Sequence, residues 1–350
     1  MEVGLIGLAG SGKTTLFRAL TGMAVEGYSD KAHVGIADIP DPRLHVIAEH
    51  ITTRKIIPAN VRLVDIPSMP TGGDAKKLNA LLEQIRQVDA LCHVVRLFDD
   101  GTGHVDPRAD IEQMETELAL ADLVVAESAR ERATRVARSG DADAKARLEF
   151  LARVVAQLEA DTPIRAAEWN DADEAFLKSY GFVSAKPVLY VANVTEDDLD
   201  GTSPEIAVVG ERAATTGAEA VVVCVKLEAE LAELDAADRD EMLESLGLTE
   251  PAIGPLARAA NAVLGLTTFY TAGDKEVRAW TIRAGAYAPE AAGVIHSDIQ
   301  RGFIRAECYS VDDLIQHRTE KAIREAGKLR SEGKQYTLQD GDVVHYLFNV

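Results

Sequence analysis

Long hydrophobic runs are missing from this chain of 350 residues. No stretch of about eighteen apolar residues occurs, and the first ten residues lack the charged segment and apolar core of a secretory leader, so a cytoplasmic protein with no membrane partner is expected. Cysteine is scarce. Cys92, Cys224 and Cys308 are odd in number and far apart, which supports neither a disulfide framework nor a zinc site and leaves three buried free thiols as the expectation. Positive charge is also short, with 37 Lys and Arg against 57 Asp and Glu and a net charge of −20. Such a surface repels the phosphate backbone, so neither indiscriminate nucleic-acid binding nor sequence-specific DNA reading is expected.

The shortage is uneven. Residues 191–250 carry 16 acids against 3 bases, whereas residues 130–153 carry seven bases (Arg130, Arg132, Arg135, Arg138, Lys145, Arg147, Arg153) against four acids. On pattern alone that second stretch reads as a solvated helix face with paired charges. Residues 266–350 are nearly neutral, with 11 bases and 12 acids.

What is present is an ordinary globular composition, 47% hydrophobic and 27% charged, with length for two or three domains. Up to about residue 110, short apolar runs at residues 3–8, 61–64 and 90–97 alternate with helical stretches, the rhythm of a parallel sheet. Residues 111–180 are rich in Ala, Glu and Arg, and Leu148, Leu151, Val155 and Leu158 share one helical face, which predicts a helical hairpin turning near residues 138–143. Strand pattern returns at residues 187–192 and 220–225, so the hairpin is inserted within the first domain. "KEVRAWTI" and "DVVHYLFNV" give the last part its own strands. The expected division is 1–110 with 181–265, then 111–180, then 266–350.

The strongest chemical signal is "GLAGSGKT", residues 7–14, which fits GxxxxGK(S/T) between the strand "VGLI" and the helix-like "TLFRALTG". Gly7, Gly10 and Gly12 let successive N–H groups turn toward a phosphate, and the helix N-terminus adds partial positive charge. Ser11 and Thr15 are candidate neighbours of that phosphate. Lys13 would reach the β- and γ-phosphates and is expected to stand exposed when the loop is empty. The Thr14 hydroxyl would bind Mg²⁺, with Asp65, at the tip of "LVDIPSMPTGG", as the second acid-side holder of the ion. Asn193 and Glu196 follow the strand "VLYVAN" where guanine switches have Asn-Lys-x-Asp. Glu in place of Asp and Val194 in place of Lys argue for an adenine edge. Cys224, Val225 and Lys226, at the end of the next strand, are candidates for the base end. Lys226 falls where guanine-binding proteins pack a lysine on the base, which argues the other way.

The chain resembles the YchF-type ATPases of the Obg-related P-loop class along nearly its whole length. The matching text includes "DPRL" (41–44), "HVVR" (93–96), "ELALADL" (117–123), "KPVLYVANV" (186–194), "TFYTAGDKEVRAWTI" (268–282), "AAGVIHSDIQRGFIRAE" (291–307) and "DGDVVHYLFNV" (340–350). The resemblance implies an α/β P-loop domain with an inserted helical hairpin and a C-terminal β-grasp, ubiquitin-like TGS domain. It also implies ATP preference through Asn-x-x-Glu with GTP as the alternative ligand, slow hydrolysis, a monomer, and association with ribosomes. In the family a hydrophobic residue stands where switch GTPases orient water with glutamine, and Met69 fits that description. A histidine in the loop after "HVVR" is the family's candidate for the catalytic task, which places it, with Lys13, at His104.

Both switch segments depart from the family pattern. Pro67 and Ser68 stand where Asp-x-x-Gly is usual, and a left-handed backbone at Ser68 would cost about 1–2 kcal/mol. The first switch loop is short and lacks the expected threonine ligand, with Ser29 as the stand-in. A hydrolysis-deficient protein acting by occupancy is therefore the alternative; a small-molecule kinase would leave the TGS-like end unexplained.

Overall fold

A computed structural model of the chain describes residues 1–23, 32–69, 75–99, 101, 105–138 and 141–349. The chain divides into two compact units, residues 1–35 with 62–259, and residues 36–61 with 260–350.

One sheet has the order β2-β4-β1-β5-β6-β7, formed by β1 (Glu2–Ile6), β2 (His33–Ile39), β4 (Ala59–Asp65), β5 (Ala90–Arg96), β6 (Val188–Asn193) and β7 (Glu219–Val223). The pairings β1 with β4, β1 with β5, β5 with β6 and β6 with β7 are all parallel. Parallel strands covered on both faces need no polar alternation, and β6 is buried at all six positions. Its neighbours Leu91 and Val95 pack with Tyr190, Ile6 and Val64 in one apolar cluster.

The expected helical hairpin is present. One helix, Pro107–Ala137, is started by Asp106, whose side chain accepts from the Ala109 N–H at 3.0 Å, with Pro107 in the first turn where its missing N–H is no loss. The second, Ala142–Glu159, is capped in the same way by Asp141. Ala126, Ala129 and Ala133 of the first give close approach to Phe150, Leu151, Val154, Val155 and Leu158 of the second. Of the face read from the sequence, Leu151, Val155 and Leu158 are buried and Leu148 is half-buried.

The second unit carries a sheet of order β11-β10-β12-β8-β9-β3, from β3 (Ile56–Ile57), β8 (Leu266–Ala272), β9 (Val277–Arg283), β10 (Phe303–Ser310), β11 (Arg330–Glu332) and β12 (Asp342–Phe348). A β8–β9 hairpin, the helix Ala288–Ile295 and a returning β12 laid parallel beside β8 make the β-grasp arrangement. Ala288, Ala291 and Ala292 seat that helix against Phe269, Ile282 and Phe303.

The units part the chain differently from the expected boundaries, because residues 36–61 cluster with the C-terminal unit. Local pattern cannot reveal this, since long-range pairs hold the segment. β3 pairs with β9, Arg43 Nη1 donates to Asp340 at 2.5 Å, and the Tyr270 hydroxyl donates to Asp41. Among the described residues, no helix is long and apolar enough to cross a membrane.

Candidate functional site

The loop after β1 leads directly into the helix Lys13–Thr21, whose N-cap, Gly12, has φ +91° and offers no side-chain cap. The first N–H groups of that helix are therefore left for another acceptor, as an anion site requires. A side chain at Gly12 is excluded twice over, by its φ and because an added Cβ would lie 2.3 Å from Asn193 Nδ2. At Gly7 an added Cβ would lie 2.6 Å from the Val94 carbonyl oxygen, so the loop can pass that close to β5 only without one. Gly10 is exposed in the turn. Ser11 is 3% exposed, and its hydroxyl is buried without a hydrogen-bond partner. Such an orphan is expected where a ligand completes the bonding.

Lys13, Thr14 and Asp65 converge. Lys13 Nζ donates to Asp65 Oδ1 at 3.2 Å, and Thr14 Oγ1 donates to Asp65 Oδ2 at 3.0 Å. Lys13 is 6% exposed, so the expectation of an exposed lysine is corrected. The physical reason is Asp65, a buried carboxylate at the end of β4 that needs a cationic partner when no ligand is bound. Thr14 and Asp65 supply two hard oxygens side by side, a set that suits Mg²⁺, which takes one or two protein oxygens and completes its shell with phosphate and water.

The base end is organised by Asn193. Its Nδ2 donates to the Ser11 carbonyl at 2.8 Å and its Oδ1 accepts from the Val225 N–H at 3.1 Å, so one buried amide ties the loop after β1 to the loop after β7. Both ends of the Asn193 amide are thereby committed to backbone groups of the protein. A pocket of about 540 Å³ opens beside this strut, lined by Gly12, Thr15, Asn193, Glu196, Cys224, Val225 and Lys226 among others. Glu196 and Lys226 are exposed, and Lys226 Nζ donates to Glu196 Oε1 at 3.1 Å. That hydrogen bond holds the Lys226 ammonium above its ordinary pKa, while burial pushes the Cys224 thiol up.

Phe98, Glu230 and Glu233 also line the pocket and were not read from the sequence. Glu230 had a findable signal, standing four residues after Lys226 on the helix Val225–Glu233, with its carboxylate 3.8 Å from the ammonium. Met69 is 6% exposed and packs in the apolar cluster with Ile66, Leu81 and Ile85, so its thioether is committed to the core. Ser68 is not left-handed, since Asp161 and Arg318 are the non-glycine residues with positive φ among the described residues. His104 and Ser29 lie outside the described residues.

Residues 266–349 match the YchF-GTPase_C family model, described as a protein of unknown function, and residues 2–129 match MMR_HSR1, a "50S ribosome-binding GTPase". Curated relatives named "Ribosome-binding ATPase YchF" are 40% identical in Bacillus subtilis (strain 168), over 100% of both chains, and 42% identical in Escherichia coli O157:H7, over 100% of this chain and 99% of the relative. The chain belongs to the YchF family. A solved YchF structure, that of the Schizosaccharomyces pombe YchF GTPase, is 28% identical, covers 99% of this chain and 97% of its own, and superposes with a TM-score of 0.86. YchF relatives are thus named both ATPase and GTPase.

Proposed function

We propose that this protein binds ATP with Mg²⁺ at the P-loop, hydrolyses it slowly and works in association with the ribosome. The observation that carries the nucleotide reading is the convergence of Lys13, Thr14 and Asp65 below an uncapped helix N-terminus, beside the orphaned Ser11 hydroxyl. In this reading the loop N–H groups and Lys13 hold the phosphates, Asn193 keeps the two loops in register, and Glu196 accepts from the purine amino group. Thr14 and Asp65 would hold Mg²⁺, which would supply positive charge against the phosphates. ATP rather than GTP is favoured because Glu196 and Val194 stand where guanine switches carry Asp and Lys, with GTP as a weaker second ligand.

Turnover is slow in this reading because Met69, which stands where switch GTPases orient water with glutamine, is an apolar side chain buried in the core. The same observation favours a second reading, a protein that signals by nucleotide occupancy and hydrolyses nothing. Single-turnover hydrolysis of ATP with and without ribosomes separates the two. A rate above buffer that responds to ribosomes supports the enzyme, and a rate equal to buffer under both conditions overturns it.

Association with the ribosome is supported by the relatives' names and by exposed Arg132, Arg135 and Arg138 near the hairpin's turn. Arg135 is paired only loosely with Glu131, at 3.7 Å with both side chains exposed, so it remains accessible to phosphate. Reversing all three to Glu should weaken co-sedimentation with ribosomes and lower its salt sensitivity. Unchanged binding would place the contact elsewhere.

A further inference from the structure

We propose that Lys226 sets the purine preference of the pocket by occupying one of the two carboxylate oxygens of Glu196. This rests on the reading of Glu196 as the group facing the base. A free carboxylate presents two acceptors side by side, the complement of the two adjacent donors of guanine, its N1–H and 2-amino group. In this structure the Lys226 ammonium already sits on one of them, its Nζ donating to Glu196 Oε1 at 3.1 Å, so a base donor aimed at that oxygen meets a cation beside it. The pair therefore presents one acceptor beside one donor, the complement of adenine, whose 6-amino group gives and whose adjacent ring nitrogen receives.

Guanine can offer its O6 and N1–H to the same pair, but its 2-amino group then loses its acceptor. Specificity of this kind is a difference between two ligands and is built as much by removing a partner from one as by adding a partner to the other. Three observations place Lys226 for the task. It lines the same pocket as Glu196 and Asn193. It follows Val225, whose N–H is bonded to Asn193, so its backbone is fixed. Glu230, one turn further along the helix, holds the ammonium from the other side at 3.8 Å. The side chain itself is 75% exposed, so replacing it leaves the core untouched. A lysine at this position therefore favours adenine, the reverse of what the position suggests in guanine-binding proteins.

The test is calorimetric titration of the full chain with non-hydrolysable ATP and GTP analogues and with ADP and GDP. Lys226→Met keeps the aliphatic stem and frees Glu196 Oε1. The ratio of adenine to guanine affinity should fall by about tenfold, the worth of roughly one hydrogen bond, by the same factor for the diphosphates as for the triphosphates. Lys226→Arg should restore most of the preference. A ratio that stays put in Lys226→Met, or an equal loss of both nucleotides, overturns this inference. Glu196→Gln separates it from the reading beneath it: if that change also leaves both affinities as they were, the assignment of Glu196 to the base is what fails. A ratio altered by Glu196→Gln but not by Lys226→Met removes the role of Lys226 alone.

Discussion

Two buried carboxylates in the first unit make a useful comparison. Asp65 ends β4 and is held by one lysine and one hydroxyl, Lys13 and Thr14. Glu115, on the helix Pro107–Ala137, is held by three partners: Arg165 and the Tyr190 hydroxyl donate to Oε1, and Arg212 donates to Oε2 through Nε at 2.8 Å and through Nη2. Burial raises the pKa of Glu115, but Arg165, Tyr190 and Arg212 more than reverse this, and its carboxyl lies below the ordinary value. One acid is saturated by groups from three other parts of the unit. The other is bonded, among the described residues, to Lys13 and Thr14, the two groups that the proposed nucleotide and its ion would engage. The difference separates an acid that holds the fold from one poised to exchange partners.

The largest expected effect is on the saturated acid. Glu115→Ala leaves Arg165, 7% exposed, without its anion and strands Arg212 beside it, and removing one member of a buried charge cluster costs about 5 kcal/mol at the upper end. The unfolding transition of the first unit should move by that amount. Nucleotide affinity in the folded protein should stay within about twofold, since this acid does not line the pocket of about 540 Å³. A large loss of affinity with little loss of stability would erase the distinction between the two acids.

Next comes Lys13→Ala, which should lower affinity for ATP and GTP analogues by roughly a thousandfold, about 4 kcal/mol. Because Lys13 is buried against Asp65, some loss of stability accompanies the change. The double variant Lys13→Ala with Asp65→Asn removes the uncompensated carboxylate, so it should recover stability and still not bind. Recovery of binding in the double variant would mean that Lys13 serves only to neutralise Asp65.

The two acids also differ in how far they could be read from residues alone. Asp65 was legible because its partners lie in a motif of fixed spacing, residues 7–14, and because an acid at a strand tip has a meaning in that context. Glu115 was not. It is one acid among many on an Ala- and Glu-rich helix, and its partners lie 50, 75 and 97 residues away. The hairpin was legible for the opposite reason, since helical periodicity and a turn are local. Residues 36–61 show the same limit as Glu115: Ile56 and Ile57 pair with Val277 and Arg278, a register that no short stretch announces. The burial of Lys13 escaped the sequence because it depends on how close β4 brings Asp65. The pairing of Lys226 with Glu196 joins the first turn of the helix Val225–Glu233 to the turn after β6, 30 residues away.

A smaller effect tests the surroundings of Glu115. His93 is 2% exposed on β5, with its ring 5.6 Å from that of Tyr190, and burial, with Arg165 adding to it, lowers its pKa from 6.5 to about 4. A histidine depressed in this way contributes stability that is complete above pH 6.5 and is lost as pH falls toward 4, because the unfolded chain takes up the proton first. The loss amounts to about 3 kcal/mol over that window. Glu115 adds a loss at lower pH, beginning below its ordinary value of 4.5. In His93→Phe the upper part of the decline should vanish and the lower part remain, as read by denaturant unfolding at stepped pH. An unchanged profile would show that His93 titrates alike in the folded and unfolded chain.

The smallest effect returns to the loop after Asp65. Ser68 sits with ordinary negative φ and Met69 is buried beside it, so there is no backbone strain at Ser68. Any closed form that turns the backbone left-handed there must meet a cost of about 1–2 kcal/mol, which glycine avoids. Ser68→Gly should therefore leave nucleotide affinity unchanged and raise the single-turnover rate by roughly five- to thirty-fold, because the cost falls on closure and not on the ground state. Glycine also widens the unfolded ensemble, so stability should drop by about 1 kcal/mol or less. His104→Ala, measured alongside, should slow the reaction if the histidine takes the place of the missing glutamine. If hydrolysis stays at the level of buffer in the parent and in both variants with ribosomes present, Asp65 and its loop would be serving occupancy alone, and the acid held by only two partners would be a binding device with no turnover attached.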